Sequence, residues 1–507
     1  MARQDLERNG VRNCEAIELG LREALLKDGR RLLEQLYSET ELSVPDNASR
    51  PGEKCHPQRK LEMHSIFGIV ELRRDYFYAP AEGTGRFPLD EAMGLIESFS
   101  PALVRLAARA AAREGYEAAS EDLAALAGIQ IEGRQIHRLV HQVGPKVAAA
   151  LQQGQRQDPK AIPVMYVEVD ATGVPMVADE LAGRKGKQAD GSSKSREAKL
   201  GCVFTQTKPD EATGLPVRDL DSTTYTGSFE TAEEFGSRIR REALRRGMGR
   251  AAKIVFLGDG AAWIWELARV NFPLAIWIVD FYHALERLHE LCQGLYAGQH
   301  SWMTRTEAKW KQLLKNDQVS EMIAAARRRL NDLGPQSDDT LEKQIAYFEN
   351  QQSRMLYKTY REQGLFYGSG VIEAGCKAVI GQRLKESGMF WTESGATHVL
   401  ALRCALKGHR WDECWDRLHD SVYLKIRLPP EASGYFAVTH PATARQAGFV
   451  GTKRIEPLSW RDVQRASCNY WFWLGPLRAG QGGRPAAMGR GMDAEHGFGG
   501  AESAGFV

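Results

Sequence analysis

No Cys-x-x-Cys pair occurs in this 507-residue chain; its eight cysteines (Cys14, Cys55, Cys202, Cys292, Cys376, Cys404, Cys414 and Cys468) are scattered. That spacing argues against a zinc ribbon and a disulfide framework, and it fits a reducing compartment. No stretch approaches the ~20 apolar residues of a membrane span, and the opening MARQDLERNG is charged, without an apolar signal core. A cytoplasmic protein with no membrane partner is expected. An excess of one charge is lacking too: 67 basic against 65 acidic residues leave a net +2, so only local clustering can point to nucleic acid. Gly258-x-Gly260 is too short for a dinucleotide loop, and neither a phosphate-binding Gly-x-x-x-x-Gly-Lys run nor a serine elbow is present.

What is present is an ordinary globular composition, 43% hydrophobic and 26% charged, in a chain too long for one core. Residues 1–50 hold an amphipathic helix, with Ile17, Leu21, Leu25, Leu32, Leu33 and Leu36 at helical spacing, and Ser43–Pro57 reads as a linker. Residues 58–160 open with the strand-like runs MHSIFGIVEL and RRDYFYAP and turn helical from Ser100 to Gly144. The break at Gly128-Ile129 suits a helix-turn-helix over 100–144, with Arg134, Gln135, Arg138 and His141 on its second helix. The same pattern suits a three-helix packing unit with a solvated basic face.

Residues 161–281 alternate strands and helices: VMYVEVD, KLGCVFTQT and RDLDSTTYTGS as a meander, then a basic helix, KIVFLGD, a second helix and LAIWIVD. Three meandering strands followed by parallel crossovers predict an α/β fold with a mixed, ribonuclease-H-like sheet. Residues 282–363 read as a long all-helical insertion, and 364–425 as the final helices of the core. A C-terminal region follows at 426–475. The Gly/Ala/Arg-rich stretch 476–507 has no periodicity and reads as a disordered tail.

Three carboxylates stand out. Asp170 and Asp259 each close an apolar strand-like run, and Glu373 follows the glycine-rich turn FYGSG one turn into a helix. In this topology the first strand lies beside the fourth, which predicts Asp170 next to Asp259 at the edge where open α/β sheets bind ligands. Oxygen donors of this kind favour two Mg²⁺ or Mn²⁺ ions, which promote in-line displacement at a phosphodiester. The bland alternative for Asp259 is capping of the helix that follows. Glu168 faces the same way as Asp170 on a strand and is either a supporting acid or the partner of a lysine.

VEVDATGVP, FLGDGAAWIW, DFYH (Asp280–His283) and GSGVIEAGCKAVIGQRLKESGMFW together resemble bacterial insertion-sequence transposases of the ISKra type, relatives of the Mutator-like DDE transposases. The resemblance runs from about residue 60 to residue 425. It implies Asp170, Asp259 and Glu373 as the metal-binding catalytic triad, Asp280 and His283 as support, and a dimer or larger assembly holding double-stranded element ends and target DNA. Relatives carry a cysteine pair near the N-terminus; YFYAPAEGTGRFPLD has none, so no zinc is expected.

Phosphate contacts are expected from the basic excursion RKGKQADGSSKSREAK (Arg184, Lys185, Lys187, Lys194, Arg196, Lys199) and from Lys377, Arg383 and Lys385. Arg134 and Arg138 join them if the helix-turn-helix reading holds. Trp391 is either a base-stacking platform or a core residue. The expected function is strand cleavage and transfer at insertion-sequence ends. The alternatives are a structure-specific nuclease on the same fold and an inactive DNA-binding remnant acting as a regulator.

Overall fold

The computed structural model describes residues 14–39, 41–43, 49–153, 161–184, 186, 188, 193–334, 339–419 and 425–427. These lie in one unit, Met1–Tyr435. The predicted tail 476–507 and most of 426–475 fall outside the described residues.

Helix α1 (Cys14–Glu39) packs Leu33 and Tyr37 onto a small core of Leu61, Met63, Val70, Leu72, Leu89 and Met93. Of its predicted apolar stripe, Ile17, Leu21, Leu25 and Leu32 are exposed. β1 (Glu41–Ser43) pairs with β10 (Lys425–Arg427). Next come three antiparallel strands, β2 (Lys54–Ser65), β3 (Gly68–Ala79) and β4 (Thr84–Arg86). The run MHSIFGIVEL, read as one strand, is a strand, a turn and a strand. Ser65 Oγ donates to the Gly68 carbonyl (2.8 Å) and accepts from Phe67 N–H, and Gly68 takes φ +111, so local turn chemistry overrides the apolar pattern.

Helices α2 (Pro88–Ala92), α3 (Pro101–Ala111), α4 (Tyr116–Asp122) and α5 (Gly133–Gln152) follow. A π-turn, Leu123–Ala127, extends α4 and ends at Gly128 with φ +68. α5 buries Ile136, Leu139, Val140, Val143 and Val147. Gly144 lets it approach the helix Glu393–Lys407, since a Cβ there would lie 2.4 Å from that of His398.

The main sheet comprises β5 (Ile162–Pro175), β6 (Ser195–Gln206), β7 (Thr224–Ser228), β8 (Ala251–Gly258) and β9 (Ile276–Val279). Its order is β7-β6-β5-β8-β9, antiparallel from β7 to β5 and parallel from β5 to β9. This is the predicted mixed sheet. Of RDLDSTTYTGS only the end is strand, because Asp219 turns back to accept hydrogen bonds from Thr205 Oγ1 and the Thr207 N–H, at 2.6 and 2.9 Å. Met165–Val169 of β5 are buried without alternation, as befits a strand covered on both faces. The crossover helices are α6 (Ala232–Arg245) and α7 (Ala262–Asn271).

Among the described residues, five α-helices separate β9 from the Glu373 segment: α8 (Phe281–Leu295), α9 (His300–Lys315), α10 (Val319–Leu333), α11 (Asp339–Gln351) and α12 (Tyr357–Glu362). Then come α13 (Gly370–Gly375), a π-turn (Cys376–Gly381), α14 (Gln382–Leu384), α15 (Glu393–Lys407) and α16 (Trp411–His419). No helix among the described residues is long and apolar enough to cross a membrane.

One buried ionic cluster joins the sheet to both flanking helical layers. Glu242 on α6 accepts two bonds from Arg245 (2.6 and 2.9 Å), one from Arg410 (3.3 Å) and one from Thr224 Oγ1 (2.5 Å), while Arg410 also donates to the Leu151 carbonyl (2.9 Å). Burial pushes the Glu242 carboxyl up, but the Arg245 bonds and the Arg245 and Arg410 charges outweigh it and hold the group below its usual value. Removing the acid strands two buried guanidiniums, so Glu242→Ala is expected to cost about 3–5 kcal/mol in chemical denaturation. Because the folded value is lowered, the contribution of Glu242 is complete above its unfolded pKa of 4.5 and fades as pH falls below it. Denaturant midpoints of wild type and variant, measured from pH 7 down to 3, should therefore converge.

Candidate metal and nucleic-acid site

β5 and β8 run parallel from Ile162↔Ala251 to Glu168↔Leu257, where that pairing stops. β5 nevertheless continues against β6 to Pro175↔Ser195. Asp170 therefore lies within the strand and does not end it, because hairpin pairing with β6 outlasts the parallel pairing. It stands two residues past the last β5–β8 pair, as Asp259 stands two residues past Leu257, and the Asp259 charge acts on it. Asp259 follows Gly258 at the end of β8, and Asp280 follows Val279 at the end of β9, its N–H donating to the Gly258 carbonyl at 2.8 Å.

Asp259 does take part in capping. Its Oδ1 accepts the Ala261 N–H (2.8 Å), although Ala261 itself is the N-cap of α7. Between them Gly260 sits at φ +101, and a Cβ there would lie 2.7 Å from the Tyr347 ring. From α11, Tyr347 Oη donates to the Asp259 carbonyl (3.2 Å) and Gln351 Nε2 to that of Gly260 (3.0 Å). Tyr357 Oη donates to the Val279 carbonyl (3.0 Å), just ahead of Asp280. The helical run thus holds the turns that present both acids.

Asp280 is wholly buried. Its Oδ1 accepts the His283 N–H (2.6 Å) and lies 3.1 Å from His283 Nδ1; its Oδ2 accepts the Ser369 N–H. Ser369 Oγ in turn donates to Glu373 Oε1 at 2.9 Å. Ligand atoms of Asp280, His283 and Glu373 consequently lie within 4.8 Å of one another. This grouping shares only Glu373 with the predicted triad and draws the two supporting residues into the site.

Alternate residues of β5 receive the Glu373 segment. Tyr166 Oη accepts the Phe366 N–H (3.2 Å), Glu168 Oε2 accepts the Ile372 N–H (2.9 Å), and Asp170 accepts a hydrogen bond from the Cys376 thiol. Neither Tyr166 nor Cys376 carried a sequence signal for this role. The period-2 spacing of 166, 168 and 170 was available, but the partners of those positions were not.

The charges in the site are strongly coupled. Burial raises the Asp170 carboxyl and the Asp259 charge pushes the same way, against the Ala171 N–H, Cys376 and His283. Burial likewise raises Glu168 to about 8, with the Ile372 N–H opposing it and the Asp280 and Glu373 charges adding to it. Asp280 is lowered: burial pushes it up, but its bonds from His283 and Ser369 prevail. The bond to Asp280 raises His283 to about 9, against burial, and the charges of Asp280, Glu286 and Asp259 assist.

The predicted nucleic-acid contacts divide. Lys185 and Lys187 lie outside the described residues. Arg184, Lys194, Lys377, Arg134 and Arg138 are exposed, the last paired with Glu97 at 3.2 Å. Lys385 is exposed and bonds Thr172 Oγ1. Arg196 is held by Glu393 and Glu180, and Lys199 donates to the Glu230 carbonyl (3.0 Å).

One expectation is corrected and one alternative is decided. Arg383 is fully buried between the Tyr116 and Trp391 rings, its Nε donating to the Ala111 carbonyl (2.9 Å) at the C-terminal end of α3. Trp391 is 7% exposed, donates from Nε1 to the Leu384 carbonyl (3.0 Å) and bridges Met176. Both are core residues, because the chain after Glu373 folds back beneath α3 and beside the end of β5, leaving neither a free face for DNA.

A family model described as "Uncharacterised protein family (UPF0236)" matches residues 6–200, a span that includes Asp170 and stops before Asp259 and Glu373. No curated protein matches the chain. Among solved structures, the Drosophila P element transposase strand transfer complex is similar at 12% identity and a TM-score of 0.25, over 66% of this chain and 84% of that one.

The Asp280–His283 pair is open to direct measurement. In the metal-free protein the His283 ring is expected to titrate near pH 9, and Asp280→Asn should return it toward 6.5, as read from its ring proton signals by NMR. Because the folded value is raised, the pair's contribution to stability is complete below 6.5 and lost as pH rises through about 9.

Proposed function

We propose that this chain is a DNA transposase with a ribonuclease-H-like core, cutting and rejoining strands at the ends of an insertion sequence. The observation that carries the reading is the topology: in a sheet ordered β7-β6-β5-β8-β9, Asp170 lies on β5 just past its pairing with β8, Asp259 follows the end of β8, and the helix of Glu373 is hydrogen-bonded to Glu168 of β5. The resemblance of the surrounding motifs to ISKra-type transposases agrees with it.

The residues fit divalent cations. Burial is the main cause that raises Asp170 and Glu168, and like charges add to it, Asp259 at Asp170 and both Asp280 and Glu373 at Glu168, a repulsion that bound cations would offset. The donors are chiefly carboxylate oxygens, which suits Mg²⁺ or Mn²⁺ better than zinc. Asp170, Asp259 and Glu373 would hold the ions. The chemistry such a pair would supply is activation of the attacking oxygen and stabilisation of the leaving one. His283, hydrogen-bonded through Nδ1 to Asp280, has its other ring nitrogen available beside the acids for a phosphate oxygen. Exposed Lys194, Lys377 and Lys385 supply sequence-independent backbone contacts.

Asp170→Ala, Asp259→Ala and Glu373→Gln are each expected to reduce Mg²⁺-dependent cleavage of a labelled element end at least roughly 100-fold, with DNA affinity nearly unchanged. Full cleavage by any one variant removes that residue from the triad. Supplying pre-cut ends and looking for joined product separates a transposase from a nuclease. DNA binding with no Mg²⁺-dependent product would identify an inactive regulator.

A further inference from the structure

Helix α13, which carries Glu373, begins without the usual cap. The first-turn amides of any helix lack intrahelical partners, and the N-cap side chain ordinarily takes one of them. Here the N-cap is Ser369, whose side chain makes no such bond and donates instead to Glu373 Oε1 (2.9 Å). The Ile372 N–H, three residues into the helix from the cap, goes to Glu168 Oε2 (2.9 Å), a partner 204 residues away in sequence. Glu168 is wholly buried, Cys202 Sγ lies 3.9 Å from the same oxygen, and Oε1 has no partner among the described residues.

We infer that Glu168 is a positioning residue: it caps the Glu373 helix from the central strand, and so frees the Ser369 hydroxyl to orient the Glu373 carboxylate. Two strands share the task, since Asp280 at the end of β9 takes the Ser369 N–H while Glu168 takes that of Ile372. Without Glu168, the Ile372 amide is left to compete for the hydroxyl that holds Glu373. A neighbouring acid that ligated metal would need its charge. An acid that caps needs only an acceptor oxygen, which a glutamine carbonyl provides.

The catalytic consequence rests on the transposase reading, so the test has two arms. In steady-state cleavage, Glu168→Ala is expected to lower kcat ~10-fold or more with KM for DNA within ~2-fold, and Glu168→Gln to recover most of kcat. In amide hydrogen exchange on the metal-free protein, Ile372 and its neighbours in α13 should exchange faster in Glu168→Ala and at the wild-type rate in Glu168→Gln, with protection elsewhere in β5 and β8 retained. Unchanged exchange at α13 in the alanine variant overturns the inference whatever the protein's activity. A glutamine variant as inactive as Asp170→Ala overturns it in favour of a charged ligand. If exchange behaves as expected but wild type cleaves no DNA, the transposase reading fails and the capping role stands.

Discussion

One face of β5 receives the segment that carries Glu373. Tyr166, Glu168 and Asp170 project from it at the two-residue period of a strand, and each takes a hydrogen bond from the segment that brings in Glu373: Phe366, Ile372 and Cys376. The strand is buried on both sides and is bound by hydrogen bonds to β6 and β8, so this face has little freedom to move. A segment returning after five helices needs such a template, because the backbone entropy of a long excursion gives no preference for where it lands. Three polar rungs on an apolar strand give it one register.

The helical run is part of the same construction. Tyr347 and Gln351 of α11 hold the carbonyls of Asp259 and Gly260, and Tyr357 holds that of Val279 before Asp280. Each acid is thereby fixed through the backbone of its own turn. The buried charges follow the same division. Asp280 is satisfied by three donors and stays ionised, whereas Glu168, with one oxygen unpartnered, is pushed toward neutrality. Two acids close to the same carboxylate thus differ in charge because they differ in hydrogen bonds.

Behind the site, arginines perform a task that their sequence context concealed. Arg383 and Arg403 donate to the Ala111 and Ala112 carbonyls at the end of α3, and Arg383 is packed between Tyr116 and Trp391. In a sequence, an arginine ten residues after a candidate acid reads as a phosphate contact. Burial of its guanidinium against orphan helix carbonyls makes it a structural clamp instead.

Strand order, the placement of Asp259 and Asp280 at strand ends, and the helical character of 282–363 were legible in the residues, since hydrophobic period and apolar runs depend on local sequence alone. Some local readings failed where side chains competed with the ladder, as at Ser65 and Asp219. Glu168 was visible as a co-facing acid, but its role depends on an amide 204 residues away that no local pattern reveals. The choice between surface and core for Arg383 and Trp391, and the grouping of Asp280 and His283 with Glu373, were likewise decided only by tertiary structure. Sequence by itself singled out the candidate acids and the strands and turns that carry them. Long-range packing determined which of them meet, because contact between distant segments is set by the template they fold onto and not by their own periodicity.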